Sequence, residues 1–517
     1  MSNRISNARR NIIWSVLNSI VLLVFPFFLR TVMIYTLGIE YAGLGNLFTS
    51  ILQILSLSEL GIGSALVFCM YQPMAEKDVK TIRALLKFYK SCYFIIGTVI
   101  LLAGVLITPF IQHLVKGDYP SEINIYVLYL IYLINTCISY FFCGYKRVLF
   151  AASQRLDLES KFVMIITVIQ YLLQILILIK FKNYYLYIIL LPLCTLATNV
   201  LLNKVLIKSF PTYYPEGKID NEFLSVIKKK VTGIMFQKIG TVVLTSVDSI
   251  VISMYFGLTV LGVYNNYYFV ISALFSILNA ILVSIIPSIG NSIVLENIEK
   301  NKNDFYMFNF IYIFIISWCT TCLFVLYQPF MDVWIGKSLG ENGLLSNGIV
   351  AVLSLYFYVL KMGDIVHVYK EGIGLWEQAK YIPIISALIN LILNLVSVNY
   401  IGLYGVIISS IVSVMFIYVP ANTYVLYKNY FGNMKECIIY LISQLKYLAV
   451  SMGMTLLISI ICSFNIDNVF INFIIKTLIC IMLTSISYIV VYSKNKYFNE
   501  MIKFFKKIIL KRKLKRQ

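Results

Sequence analysis

Histidine and clustered carboxylates, the residues from which most catalytic sites are built, are scarce in this sequence. The chain has two histidines, far apart, and charged residues make up 13% of its 517 residues. No general acid–base pair is therefore indicated. Walker A, HExxH and Gly-rich dinucleotide-binding sequences are also missing. These absences argue against an enzyme and against an ATP-driven pump, and we expect no catalytic residues, no cofactor and no metal site.

Cysteine is present, but its positions do not suggest chemistry. Most of the ten cysteines lie inside apolar runs. Cys319 and Cys322 have the C-x-x-C spacing of metal and redox sites, but no second pair accompanies them and the surrounding sequence is an apolar helix. A metal or redox role is therefore disfavoured.

Apolar residues are in excess. Hydrophobic residues make up 60% of the chain and the mean hydropathy is +0.84, against roughly 45–50% apolar residues in soluble domains. The excess lies in runs of about 20 residues, the length that crosses the hydrocarbon layer as a helix. The first run lacks a signal-peptide cleavage site, so we interpret it as a membrane helix.

We therefore predict an all-α integral membrane protein with about 14 transmembrane helices, because the runs do not alternate as barrel strands do. The predicted helices lie at approximately 11–36, 41–70, 88–113, 123–149, 161–180, 184–207, 230–256, 260–290, 305–328, 344–369, 377–400, 402–428, 437–463 and 467–492.

Lysine and arginine follow the predicted membrane topology. With the N-terminus inside, the predicted inner segments hold 35 of the 43 lysines and arginines, and the outer segments hold Lys116, Lys180, Lys182 and Lys337. Cationic residues gather in cytoplasmic loops, so both termini are predicted to be cytoplasmic. The same topology explains the net charge of +20 without a nucleic-acid partner.

One stretch of the sequence occurs twice. The pattern Gly38-x4-Gly43-x2-Asn46, between two apolar runs, returns in the second half of the chain as Gly257-x4-Gly262-x2-Asn265. A second pair of positions repeats at an offset that is one residue longer than that of the glycine pattern. Here Gln170 and Gln174 correspond to Asn390 and Asn394. Two matches at nearly one offset predict two structurally related halves.

The repeat and the charge pattern together predict the domains. We expect an N-terminal six-helix lobe at 1–208, a cytoplasmic linker at 209–229, a C-terminal six-helix lobe at 230–430, an extra helix pair at 431–493 and a basic cytoplasmic tail at 494–517. Parts of the linker and of the tail are basic and amphipathic, which favours contact with membrane lipids. The two lobes would be pseudo-symmetric about an axis along the membrane normal, with a cavity between them.

Ionisable side chains inside apolar spans are costly and by default mark a water-filled cavity or a buried pair. The candidates for substrate binding in the cavity are Arg30, Lys238, Asp248 and Lys361. The candidates for coupling or gating are Glu59, Asp364, His367 and Pro26. A cavity with cationic walls suits an anionic ligand.

Each candidate also has a structural interpretation. Arg30 and Asp248 lie at similar depth in equivalent helices, so we expect Asp248 to be the counter-ion of Arg30. The two side chains would either face a cavity or form a structural pair. Lys361 and Asp364 are three residues apart and can pair along one helix. His367 is either an interfacial side chain or a proton-linked group. Pro26 removes a helix hydrogen bond and is a candidate hinge.

On these features the chain resembles the polysaccharide flippases of the multidrug/oligosaccharidyl-lipid/polysaccharide exporter superfamily. The residues that carry the resemblance are the Gly38–Asn46 hairpin with Arg30 before it, the Asp248…Gly257…Gly262-x-Tyr264 segment, Glu371–Trp376, Asn390-x3-Asn394 and Gly402-x2-Gly405. Related lipid II flippases have several cavity arginines, whereas this chain has one intramembrane arginine, plus lysines, so their headgroup site does not transfer in detail.

The resemblance implies a V-shaped, alternating-access transporter in the bacterial plasma membrane. Its substrate would be an undecaprenyl-diphosphate-linked oligosaccharide repeat unit for O-antigen or capsule synthesis, with Arg30 and Lys238 meeting the diphosphate. H+ and Na+ are the candidate coupling ions, and the polysaccharide polymerase machinery is a candidate partner.

Two alternatives remain open. A multidrug cation antiporter of the same superfamily would usually have about twelve helices and an acidic cavity. A membrane polysaccharide polymerase or ligase would usually have a large outer loop, and the predicted outer loops here are short.

Overall fold

The computed structural model of the chain describes residues 2–56, 62–117, 119–153, 155–336 and 340–503. The described residues form helices joined by short turns, and no β-strand occurs among them. The chain divides into two compact units, unit 1 at Met1–Asn265 and unit 2 at Asn266–Gln517. The division falls inside a long helix, and the six-helix lobes expected from the sequence stay a prediction.

The described residues of unit 1 form eight α-helices and the first part of a ninth. They are α1 Ser2–Thr36, α2 Ile39–Leu55, α3 Ile62–Glu76, α4 Val79–Ile107, α5 Ile125–Phe141, α6 Val148–Ala152, α7 Leu156–Phe181, α8 Tyr184–Ser209 and α9 Asn221–Leu295. Helix α1 packs along α7, and α8 packs against both α5 and α7.

In unit 2 the described residues form the rest of α9 and nine further α-helices. They are α10 Ile298–Met331, α11 Asn347–Lys361, α12 Asp364–Ile373, α13 Trp376–Ala379, α14 Ile382–Ile401, α15 Leu403–Ser413, α16 Val419–Leu426, α17 Met434–Ile461 and α18 Val469–Tyr492. Helix α14 packs against α15, and α10 packs against α11, α17 and α18.

Eleven helices among the described residues are long and apolar enough to cross a membrane, or twelve if the bent pair α5 and α6 forms one span. The protein is therefore an all-helical, multi-pass membrane protein. The predicted set of 14 helices differs from the helices of the structure at two further places. The predicted helix 41–70 corresponds to α2 and α3, which flank residues outside the described ranges. The stretch α9 covers two predicted helices, which meet at a kink at the non-helical Gly257. The count of 14 stays a prediction.

The outer faces of the helices are apolar, as expected for side chains that contact lipid. Leu106 on α4 is 72% exposed and Ile460 on α17 is 69% exposed. Polar groups lie inside the units instead. In unit 2 the hydroxyl of Thr321 on α10 is 2.8 Å from that of Thr455 and 3.2 Å from that of Tyr488. These hydrogen bonds join α17 and α18 to α10, the role that hydroxyls commonly have between membrane helices.

Helix ends repeat at the offsets seen in the sequence. The side chain of Asp78 caps the start of α4, and that of Asn297, its equivalent at the offset of the glycine pattern, caps the start of α10. At the other end, Lys182 after α7 and Gly402 after α14 are equivalent at the offset of the amide pairs, and both have positive φ. Caps satisfy backbone N–H groups that have no partner within the helix. The two stretches thus share a local start signal as well as spacing, whereas the stops share only a positive φ, because ψ is 36° at Lys182 and −137° at Gly402.

Candidate functional site

The two copies of the glycine hairpin have the same backbone conformation. Gly38, between α1 and α2, has φ 117° and ψ 168°. Gly257, inside α9, has φ 84° and ψ −178°, and it interrupts the helical geometry there. Residues with a side chain rarely adopt this region, so glycine is required at both turns. The repeated spacing in the sequence therefore corresponds to a repeated turn.

The two hairpins contact each other within unit 1, and the contact is reciprocal. A Cβ atom on Gly43 would lie 2.3 Å from the carbonyl oxygen of Leu258, and one on Gly262 would lie 2.6 Å from that of Ile39. Gly43 corresponds to Gly262 in the repeat, and Ile39 corresponds to Leu258. When i contacts j and the equivalent of i contacts the equivalent of j, the contact has two-fold character.

A hydrogen bond lies at the centre of this arrangement. The Thr259 hydroxyl donates to the Glu40 carboxylate at 3.2 Å, and these two residues are equivalent positions in the repeat. Nearby, the Lys116 N–H donates to the Ser253 carbonyl at 3.1 Å. We call the set formed by Ile39–Gly43 and Leu258–Gly262 the hairpin contact.

Tyrosines pack against the first hairpin. The Tyr184 hydroxyl donates to the Tyr41 carbonyl at 3.0 Å, and its ring packs edge-on against that of Tyr41 at 5.0 Å. Tyr184 also stacks on Tyr187, with ring centroids 5.5 Å apart. Buried tyrosines combine a large apolar contact with a polar end that finds a partner. The turn is therefore fixed by its surroundings as well as by its glycine.

Arg30 lies near the end of α1 beside the hairpin contact. Its guanidinium is half-buried and donates to the Gly262 carbonyl at 3.3 Å. Asp248 on α9 is 3% exposed, on a stretch where the buried Ser246 donates to Gln53 at 3.1 Å. The Gly262 bond was not anticipated from the sequence, because it joins residues far apart in the chain. Pairing of Arg30 with Asp248 stays a prediction.

The remaining candidates of unit 1 differ in their surroundings. Lys238 on α9 has an exposed side chain. Pro26 lies inside the single helix α1, where the carbonyl of Leu22 loses its usual N–H partner because proline has none. Glu59 lies outside the described residues. The cavity and gating roles of these residues stay predictions.

In unit 2 the predicted pair of Lys361 and Asp364 is present. The Lys361 ammonium is 3.0 Å from the Asp364 carboxylate, although α11 ends at the lysine and α12 begins at the aspartate. The Tyr312 hydroxyl donates to the same carboxylate at 2.6 Å. Lys361 also donates to Asn279 at 3.3 Å and lies 4.5 Å from the ring centre of Phe275. At 8% exposure its charge is compensated by these groups.

Two further polar contacts extend along α12. The His367 ring nitrogen is 3.2 Å from the Glu371 carboxylate, one turn further along. The ammonium of Lys370, which is 3% exposed, donates to the Asn422 side chain. The burial of Lys370 was not predicted from the sequence, because a lysine near a predicted helix end gives no local sign of being buried.

The repeated amide pairs form hydrogen bonds along their own helices. On α7 the Gln170 amide donates to Gln174 at 3.4 Å, and on α14 the Asn394 amide donates to Asn390 at 3.4 Å. Asn390 donates in turn to Ser410 on α15 at 2.8 Å. In unit 2 the pair thus joins neighbouring helices, which is a structural role.

Comparison with solved structures identifies the fold. A lipid II flippase MurJ in an inward closed conformation superposes with a TM-score of 0.65 at 17% identity, covering 93% of this chain and 99% of that one. An inward-facing multidrug resistance MATE family transporter of the MOP superfamily superposes with a TM-score of 0.61 at 14% identity, covering 85% and 99%.

A MOP superfamily transporter from Pyrococcus furiosus, described as having a binding pocket of reverse polarity that suggests a different function, superposes with a TM-score of 0.54 at 15% identity, covering 81% and 96%. No family model matches the sequence, and no curated protein matches it. The fold of this chain is thus the one shared by MurJ and the MATE transporters.

Proposed function

We propose that this protein is a flippase that moves undecaprenyl-diphosphate-linked oligosaccharide repeat units across the bacterial plasma membrane for surface polysaccharide synthesis. In this proposal it has 14 transmembrane helices, two pseudo-symmetric six-helix lobes and an extra C-terminal pair, and it works as a V-shaped alternating-access transporter with both termini in the cytoplasm. H+ or Na+ would drive it.

The observation that carries the proposal is how much of the chain the flippase structure covers. Helices α17 and α18, with 28 and 24 residues, together make up about a tenth of the chain. A match over 93% of the chain cannot omit both helices, so it must extend into this pair. A match over 85% of the chain can omit both. The extra pair thus favours a lipid-linked substrate over a drug.

The charges of the candidate residues support an anionic ligand. Arg30 has a carbonyl as one of its partners, and its guanidinium presents five donors in a planar fork that suits a phosphate. Lys238 has an exposed side chain on α9. A cation antiporter would need acidic groups in place of these residues.

The experiment that tests the proposal uses proteoliposomes that contain the purified protein and a fluorescent, short-chain lipid-linked oligosaccharide diphosphate. We expect the protein to expose the inner-leaflet lipid pool to an external quencher at a rate that empty vesicles do not reach. Ethidium uptake in the same vesicles measures drug transport. Rapid ethidium transport without lipid flipping would support the antiporter instead.

A deletion strain separates the flippase from a polymerase. Loss of a flippase leaves lipid-linked repeats in the inner leaflet, whereas loss of a polymerase leaves single repeats exported. Accumulation of exported single repeats after deletion would contradict the proposal.

Arg30 provides the residue-level test. If its guanidinium binds the diphosphate, Arg30→Lys is expected to fold but flip slowly, because an ammonium cannot copy the fork. If Arg30 is only a structural partner of Asp248, the double change Arg30→Ala with Asp248→Ala should restore flipping, since no buried charge is left alone. Restored flipping in the double variant would exclude the binding role.

A further inference from the structure

The path from α5 to α6 contains a cationic turn that the proposed substrate site does not use. The two helical stretches are bent by 56°, and Cys143 at the bend has φ 62°. A 3-10 turn at Gly144–Arg147 follows. The turn places Lys146 and Arg147, two adjacent cations, at the end of unit 1 that holds the start of α7 and the last part of α8.

Neutral amides hold both cations in place. The Lys146 ammonium donates to the Asn203 side chain at 2.7 Å, and the Arg147 guanidinium donates to the Asn199 side chain at 2.9 Å. Asn199 and Asn203 lie one turn apart on α8. The Asn199 amide also donates to Ser139 at 3.3 Å, which keeps its oxygen directed at the arginine. Amide oxygens orient the cations without neutralising them.

The nearby carboxylates are few and are shared. Asp157 is 3.0 Å from Arg155 and 3.9 Å from Arg10, so one carboxylate serves two arginines. Glu159 forms a long ion pair with Arg147, with its carboxylate 3.9 Å from the Nε atom and beyond hydrogen-bond distance, so one carboxylate faces the two cations of the turn. That Nε atom is buried and has no hydrogen-bond partner among the described residues. The turn therefore has excess positive charge and an unused buried donor.

We propose that Lys146 and Arg147 form a binding site for a phosphate-bearing headgroup at the cytoplasmic end of unit 1. A fixed guanidinium next to an ammonium matches the charge and the oxygen geometry of a phosphate. This inference rests on the proposed function, because the predicted topology puts these residues on the side where a lipid-linked substrate would be made. The site would receive the headgroup before transport.

Two ligands share this chemistry, the diphosphate of the lipid-linked substrate and the phosphate of an anionic phospholipid. The first arm of the experiment uses the full chain in phosphatidylcholine nanodiscs, titrated with inorganic diphosphate. The second arm repeats the titration in nanodiscs that contain phosphatidylglycerol. Loss of diphosphate binding in the second arm would identify the phospholipid headgroup as the resident ligand, and unchanged binding would identify the diphosphate.

The variants are Arg147→Gln and Lys146→Gln, which keep a donor for the asparagines but remove one charge each. Each is expected to weaken diphosphate binding about tenfold, the effect of losing one charged hydrogen bond. Arg147→Lys should recover part of the binding. Lys208→Gln is the matched control, because Lys208 is an exposed lysine at the end of α8, the helix that carries Asn199 and Asn203. This variant should bind diphosphate with an affinity within about twofold of that of the parent protein.

The site does not exist if Arg147→Gln and Lys146→Gln both bind diphosphate as the parent does, or if Lys208→Gln weakens binding equally. Lys146→Gln decides alone if Arg147→Gln fails to elute as folded protein. Failure of the parent to flip lipid while diphosphate binding persists would contradict the proposed function and leave the site standing. Normal flipping by a variant that no longer binds would overturn the role in receiving substrate.

Discussion

Replacing Gly43 by alanine tests the hairpin contact directly. The new Cβ atom would lie 2.3 Å from the Leu258 carbonyl oxygen, and contacts below 3.0 Å essentially never occur. The two hairpins must therefore separate locally until that distance is reached. The obstacle is a backbone atom, which cannot move away by changing rotamer. At Gly262 the distance to the Ile39 carbonyl oxygen is 2.6 Å, so the required backbone separation should be smaller; the Ile39 Cγ1 atom, also at 2.6 Å, belongs to a side chain that can move.

The magnitude follows from the behaviour of overpacked sites, where an added methyl group typically costs about 1–3 kcal/mol. The proposed alternating-access transport requires contacts that form in one state and break in another, and we expect the hairpin contact to be one of them. A penalty of that size on one state shifts the balance between the states by about 5- to 150-fold. Gly43→Ala should therefore both destabilise the conformation described here and alter the transport rate.

The assay is labelling of Leu258→Cys, measured above the background of the native cysteines. Leu258 is buried in the hairpin contact, so labelling should be slow in the parent and faster when Gly43→Ala is added. Gly453→Ala is the matched control. Gly453 lies inside α17, and a Cβ atom there would meet nothing within 4 Å. Alanine at such a position should stabilise the helix by about 0.5–1 kcal/mol.

If Gly43→Ala and Gly453→Ala give the same rate of labelling at Leu258→Cys and the same melting temperature, the hairpin contact is not the tight contact described here. The prediction also fails if Gly262→Ala is more harmful than Gly43→Ala, because the order of the two distances would then have no predictive value.

Three further predictions concern the two equivalent helix caps, the pair of Lys361 with Asp364, and the proline of α1. The pKa of Asp78 is lowered by hydrogen bonds from the side chain and backbone of Thr81. The stability that this carboxylate adds to the fold is therefore fully present above the pKa of Asp78 in the unfolded chain. It is lost as the pH falls through the lower pKa of the folded protein. Melting scans should therefore show that Asp78→Ala lowers the melting temperature at pH 7 and leaves it unchanged in strong acid. Asn297→Ala removes the equivalent but uncharged cap, so it should lower the free energy of unfolding by about 0.5–2 kcal/mol at every pH. Asp364→Asn should destabilise unit 2 by about 1–3 kcal/mol in denaturant titrations, because the pair with Lys361 is lost, and an unchanged midpoint would contradict this. Pro26→Ala should slow flipping at equal membrane expression, and a parental rate would exclude the hinge.

The sequence predicted the features that are local along the chain. Runs of apolar residues predicted the helices, because burial in lipid imposes a length and a composition. Spacing predicted that Lys361 and Asp364 could pair along one helix, and the two side chains do lie 3.0 Å apart, although across the turn between α11 and α12. The repeated glycines were recognised for a similar reason, because a turn with positive φ restricts the residue type at one position.

Contacts between distant positions could not be predicted in this way. The bond from Arg30 to Gly262, and the approach of Gly43 to Leu258, depend on how helices pack, which spacing does not encode. The binding of Asn199 and Asn203 to two adjacent cations was missed for a related reason. Both amides lie in an apolar helix, where they gave no signal until the cationic turn beside them was known.

The repeat itself indicates where function should be sought. The glycines at the two hairpin turns, Gly38 and Gly257, are the same in both copies, because a residue with a side chain rarely adopts that backbone conformation. Charged positions differ instead. At the offset of the glycine pattern Arg30 corresponds to Ser249, and at the offset of the amide pairs Arg147 corresponds to His367. Two related halves need each hairpin turn twice, but the proposed ligand, with one phosphate-bearing headgroup, needs a given cationic site once. Among the positions at which the copies disagree in charge, Arg30 and Arg147 are therefore the ones to mutate first.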